Sequence, residues 1–180
     1  AKINYQINSQ HRVAAGISST KSTNLLDNDT SILNDYTTNY YTLGYTYTKP
    51  QFYDALFPIN FWLDFSTGFG DRENDTGNQS QTTFNIDTYK IFNLNPKNSI
   101  YTRFNGAILT SDDYLDNELF RFGGINSIRG FEENSLVANL YGVVNTEYRY
   151  RLSNGIYIHS VLDAAYFENQ ITDTKEKLFG

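Results

Sequence analysis

Residues 120–131 read FRFGGINSIRGF. A glycine pair, Gly123 and Gly124, and a third glycine, Gly130, flank a single cation, Arg129. Aromatic residues bound the stretch, ending in Phe131. It lies within the longest polar connection of the chain, residues 112–136. Glycine tolerates tight turns and close backbone approach. A glycine-hinged segment with one cation reads as a loop folding back onto something negative, not as the cap of a hairpin. What it meets depends on the segments around it.

After the loop, residues 137–152 set Leu140, Val144, Tyr148, Tyr150 and Leu152 against Asn139, Asn145, Glu147, Arg149 and Arg151. Residues 156–167 set Ile156, Ile158, Leu162 and Tyr166 against Tyr157, His159 and Asp163. This period-two alternation is the strand signature. Six more such segments precede the loop, at residues 2–8, 11–23, 39–49, 59–70, 82–92 and 99–109. The cleanest is 39–49, where Tyr41, Leu43, Tyr45 and Tyr47 oppose Thr42, Gly44, Thr46 and Thr48. Trp62 is an exception, falling on the polar side of its segment.

The connections also alternate. Mostly short ones are expected at 9–10, 50–58, 93–98 and 153–155. Long, acid-rich ones are expected at 24–38, 71–81, 112–136 and 169–175. Most of the chain's twenty acids lie in these long connections or at the ends of the segments. The net charge is -6, with no basic stripe of the kind nucleic-acid binding requires.

The 180 residues suffice for one domain and contain no cysteine, which excludes disulfides and thiolate metal sites. No run approaches the ~18 apolar residues of a transmembrane helix. The first residues carry no basic-then-apolar leader. The chain begins and ends inside strand-like runs, so a segment of a longer protein is expected. Fifteen tyrosines, thirteen phenylalanines and only three prolines favour pleated strands. Long strands, one aromatic face, one face of Thr, Asn, Gly and Asp, and long loops at one end form the transmembrane-barrel pattern. A soluble sandwich also gives alternation, but less readily the long strands, the aromatic-rich faces and the one-sided loops. The expected fold is therefore all-β, a transmembrane antiparallel up-and-down barrel, with about eight strands present. Phe52, Tyr53, Phe57, Tyr148 and Tyr150 are expected in the interfacial girdles.

Pairing residues 137–152 with 156–167 across the turn at 153–155 puts Leu152 opposite Ile156, Glu147 opposite Val161 and Asp163 opposite Asn145. Glu147 and Asp163 then share the polar face as diagonal neighbours, about 7–8 Å apart. Two carboxylates at that spacing repel by roughly 2 kcal/mol at an effective dielectric of ~20. A guanidinium between them reverses the sign. Half of the 112–136 loop, extended, spans ~40 Å, enough to deliver Arg129 to them.

At this point the sequence resembles a family. Ile128, Arg129, Gly130 and Phe131, preceded by Gly123 and Gly124, look like the (V/I)RG(F/Y) loop signature of the BamA/TamA superfamily of outer-membrane assembly and secretion barrels. NTEYRYRL at 145–152 and IHSVLDAAYF at 158–167 resemble the two strands that follow that loop. The resemblance is specific over residues 120–167 and only compatible before them. It implies a sixteen-stranded barrel, of which this chain would hold the sixth to thirteenth strands. POTRA domains would lie outside the chain. It further implies that Arg129 enters the lumen and meets Glu147 and Asp163.

The implied function is insertion or translocation of other polypeptides, with no catalysis and no cofactor. The implied partners are unfolded outer-membrane or secreted polypeptides, membrane lipids, lipopolysaccharide and accessory lipoproteins. Acidic loops would face outside the cell. The alternatives are a passive pore or surface receptor, or the anchor of a fused patatin-like lipase. Asp71, Glu73, Asp75 and Gly77 loosely mimic a calcium loop but fail its pattern at Thr76 and Thr82. His11 and His159 lack metal-ligand spacing, so no metal site is expected.

Overall fold

The computed structural model describes residues 1–23, 35–52 and 54–180. Eleven strands follow in order: β1 (Lys2–Gln6), β2 (His11–Ser22), β3 (Tyr36–Pro50), β4 (Ile59–Asn74), β5 (Gly77–Asn95), β6 (Asn98–Thr110), β7 (Phe120–Phe122), β8 (Leu136–Ala138), β9 (Leu140–Ser153), β10 (Ile156–Asn169) and β11 (Thr174–Phe179). Nine of them form one antiparallel up-and-down sheet, β1-β2-β3-β4-β5-β6-β9-β10-β11. The short pair β7–β8 stands apart inside the long loop. The architecture is a partial β-barrel wall.

The two faces of the wall follow from the alternation. Tyr41 and Leu43 of β3 are 71% and 55% exposed, and Leu162 of β10 is 63% exposed. Phe65, Phe84, Phe104 and Val144 continue this apolar face across β4 to β9. A soluble fold would bury such a surface. On a membrane barrel it faces lipid, and closure of the sheet satisfies the backbone there. The opposite, luminal face carries Asp64, Asp87, Arg103, Asn145, Glu147 and Asp163, which register with one another across the strands. Trp62 does point to this side, where it stacks on Tyr89 with ring centroids 5.9 Å apart.

Several sequence expectations change. Residues 71–81, read as a long acidic loop, are mostly strand. β4 and β5 pair as far as Asn74 and Gly77, leaving only Asp75 and Thr76 as the turn. The Asn74 carboxamide accepts from the Thr76 amide and hydroxyl. Both faces are polar there, which hid the strand. The sheet also gains β11, whose polar TKE run disguised it. The strand predicted at 137–152 starts later, at Leu140: at Asn139 the chain leaves the wall, and residues 136–138 pair with β7. Asn139 marks the corner. Its amide donates to Glu168 and its carbonyl accepts from Leu109.

Near the opposite end, Ile156 pairs with Ser153, not Leu152, because a bulge follows at Ile156/Tyr157. From Tyr157 onward the predicted register holds, with Val161 opposite Glu147 and Asp163 opposite Asn145. Phe57 is not a girdle residue. It turns inward and meets Tyr157 edge-on at 5.0 Å. Tyr148 lies on the outer face as expected, and Phe52 is fully exposed in its connection. Tyr53 and the acids Asp27 and Asp29 fall outside the described residues.

The facing of the strands is open to direct test. Spin labels at Leu43, Tyr45 and Leu63 of the bilayer-embedded protein will be relaxed by lipid-soluble oxygen. Labels at Thr46 and Asp64 will not. Equal relaxation on both faces would overturn the assignment.

Candidate functional site: the seated apex of the long loop

The loop between β6 and β9 folds inward and covers the luminal face of β9 and β10. Its apex is held in two ways, by apolar packing and by charge. Ile128 is completely buried, as are Val143 of β9 and Ala138 of β8. Phe122, Ala165 and Phe167 complete this cluster, with Phe131, Leu136, Tyr141 and Leu178 packed around it. Phe122 stacks on Tyr141 with centroids 4.6 Å apart and rings nearly parallel. Complete burial of an isoleucine side chain is worth roughly 1.5–3 kcal/mol. The cluster is thus a small hydrophobic core inside an otherwise polar lumen.

The backbone of the apex depends on glycine. Gly123, Gly124 and Gly130 have φ of 114°, 93° and 91°. That region is unfavourable for any residue with a Cβ. At Gly124 a Cβ would also lie 1.8 Å from the Glu133 carboxylate and 3.0 Å from the Glu133 Cα.

Arg129, next to the buried Ile128, makes the polar contacts. Its Nε and Nη2 donate to the two oxygens of Asp163, each at 2.7 Å. Its backbone amide donates to Asp163 Oδ2 at 3.0 Å. Nη1 donates to Glu147 Oε1 at 3.0 Å. The Asp163 side chain is fully buried, and the Arg129 side chain is 24% exposed. Bidentate pairing of this kind is the strongest form of charge-assisted hydrogen bond. Hydrogen bonding to Asp163 pushes the Arg129 guanidinium further above its ordinary pKa, so the cation is permanent. Asn145 adds a bond from its Nδ2 to the Ser127 carbonyl at 2.7 Å. Arg103, paired with Asp87, donates to the Asn126 carbonyl at 3.2 Å.

The eight residues singled out from the sequence therefore occupy one locality, but not as a symmetric trio. Asp163 receives three bonds from Arg129. Glu147 is shared: its Oε2 also accepts from Arg149 Nε at 2.8 Å and lies 3.1 Å from His159 Nδ1. Alternation places Arg149 in the lumen two positions after Glu147, but does not by itself mark it as a second cation on that carboxylate. A further anchor had no local signal. Arg72 of β4, 2% exposed, pairs with Glu118 at the start of the loop at 2.6 Å. Glu118 also accepts from Gln81 at 2.9 Å. Tyr36 donates to the Asn117 carbonyl at 3.1 Å. The loop is thus held at its base by β3, β4 and β5 and at its apex by β9 and β10.

Energetics separates the two carboxylates. Removing one partner of a buried ion pair costs about 3–5 kcal/mol, because the other charge stays buried alone. Arg129→Ala will strand Asp163, whereas Glu147 keeps Arg149 and His159. Asp163→Asn in that background will recover most of the loss, and Glu147→Gln little. Hydrogen exchange of the amides of residues 123–130 will report it. Equal recovery by both, or additivity of Arg129 and Asp163 in a double-mutant cycle, would refute the asymmetry.

A comparison with curated proteins finds no match. A comparison with protein families finds one: the model of the haemolysin secretion/activation proteins ShlB/FhaC/HecB matches residues 5–180. Members of that family are translocators of the outer membrane that handle secreted polypeptides. This agrees with the coarse content of the loop resemblance, an outer-membrane secretion barrel; the BamA/TamA affiliation is finer than the match. The luminal loop, the lipid-facing apolar wall and a match over nearly the whole chain lead to one statement: the protein belongs to the haemolysin secretion/activation family ShlB/FhaC/HecB.

Proposed function

We propose that this chain supplies the loop-bearing part of the wall of a polypeptide-secreting pore, and that Arg129 latches the long loop inside the lumen. The bidentate Arg129–Asp163 contact at a fully buried carboxylate carries this reading. An apex held by charge and by a small apolar core can be released as one unit and re-seated in the same place. A solvated loop could not. The client is an unfolded polypeptide passing through the lumen, which needs no covalent chemistry. Lipid, with lipopolysaccharide in the outer leaflet, surrounds the apolar face. Insertion of outer-membrane proteins, with accessory lipoproteins, is the neighbouring function for the same architecture. The loop-bearing end of the strands faces outside the cell.

Two experiments test this. Arg129→Ala will lower secretion of the client on the order of tenfold, the change that about 1.4 kcal/mol of lost positioning produces. The amount of barrel in the outer membrane will stay constant. Arg129→Lys will restore only part, since an ammonium cannot fork to Asp163 while reaching Glu147. Undiminished secretion by Arg129→Ala would exclude the latch. Separately, a cysteine replacing Asp75, at the tip of the β4–β5 hairpin, will react with an impermeant maleimide in whole cells. Reaction only after permeabilisation would reverse the orientation.

A further inference from the structure

Glu147 is the upper member of a luminal file that continues down β9 through Arg149 and Arg151, every second residue. The lower members are engaged by a segment from the other end of the barrel. In the connection from β3 to β4, Gln51 and residues 54–58 do not hang free. Asp54, 6% exposed, pairs with Arg151. Phe57 lies on the guanidinium of Arg149, 4.2 Å from its ring centroid, and Tyr101 lies 4.1 Å from it. The connection is braced internally. Gln51 donates to the Phe57 carbonyl at 2.6 Å, and the Leu56 amide donates to Asp54 at 2.9 Å. It therefore reaches inward from β3 and β4 to β9.

Two loops from opposite ends of the barrel thus end on one carboxylate. Arg129 binds Glu147 Oε1, and Arg149, held between Phe57 and Tyr101, binds Glu147 Oε2. A cation between two ring faces is held in position by both. Loss of the Phe57 face frees the Arg149 guanidinium, which then no longer fixes the plane of the Glu147 carboxylate that Arg129 uses. We propose that residues 54–58 are a gate at the short-connection end of the lumen, that Phe57 is its closing residue, and that Arg149 is the positioning residue through which the gate biases the Arg129 latch. The proposal rests on the latch reading above. An extended polypeptide entering at that end must displace Phe57, and by doing so loosens the loop ahead of it.

The test uses the full-length protein in lipid vesicles with Val143→Cys as reporter. Val143 is fully buried beneath Ile128 and lies six residues along β9 from Arg149, about 20 Å, out of reach of residues 54–58. Its reaction with a small maleimide requires the apex to lift. Heat-modifiable gel migration checks that each variant is folded. Arg129→Ala speeds labelling and calibrates the latch. Phe57→Ala is expected to speed it roughly threefold to tenfold, the range one cation–π contact carries. Phe57→Leu, which keeps volume but lacks a π-face, does the same and serves if Phe57→Ala misfolds. Phe57→Tyr leaves labelling unchanged, which a mere packing role would not require. In an Arg149→Gln background Phe57→Leu adds nothing. If Arg129→Ala speeds labelling and Phe57→Leu does not, the coupling is refuted while the latch stands. If Arg129→Ala has no effect either, the latch reading falls and takes the coupling with it.

Discussion

A carboxylate with no access to water needs a cation, and Asp163 has Arg129. Much of the luminal architecture depends on this constraint. The cation must come from outside the wall. The luminal neighbour of Asp163 on β9 is Asn145, which is neutral and supplies no charge. A loop from the far end must therefore enter the barrel, turn on glycines and fill the space it crosses. The fully buried Ile128 beside Arg129 shows that seating the charge and burying apolar surface happen together. Each makes the other cheaper, because dry packing strengthens the ion pair and the ion pair fixes the packing.

The base of the loop is tied by the same logic and a different pair. Arg72 and Glu118 are almost as hidden as Asp163, with side chains 2% and 4% exposed. The loop therefore spans the lumen as a strap fastened on both sides. Apex release alone leaves the strap attached to β4 and β5. Only release at both points frees the whole loop, so opening can proceed in stages.

The sequence made the wall and the apex readable for one physical reason. Where lipid covers one face, a strand must alternate strictly, and the alternation reveals both the strand and the side on which Glu147 and Asp163 lie. A one-residue slip would have sent both to lipid. The turn at 153–155 then fixed the register, apart from the bulge at Ile156/Tyr157. Where lipid is absent this logic fails. The upper β4–β5 hairpin is polar on both faces, and β11 opens on the polar run Thr174 to Lys177, so both stretches looked like loops. The inward turn of Phe57 and the Arg72–Glu118 pair join residues far apart in sequence. No local periodicity encodes such contacts.

The long β4–β5 hairpin also carries a waterline. Along the outer face of β4 the side chains run Phe61, Leu63, Phe65, Thr67 and Phe69, then Asp71 and Glu73. On β5 the partners of those two acids are Ser80 and Asn78. The change from aromatic to acid occurs within one step. Phe61 to Phe69 covers about 26 Å at about 3.3 Å per residue, and a tilt of roughly 40° reduces it to about 20 Å along the membrane normal. That fits within the ~25 Å apolar band of an outer-membrane barrel. The five or so residues of each strand beyond Phe69 therefore stand above the bilayer as a parapet, with water on the outer side and the long loop on the inner one. Arg72 lies at that height, so the base of the strap is fastened above the lipid. Its ion pair is kept dry by protein alone.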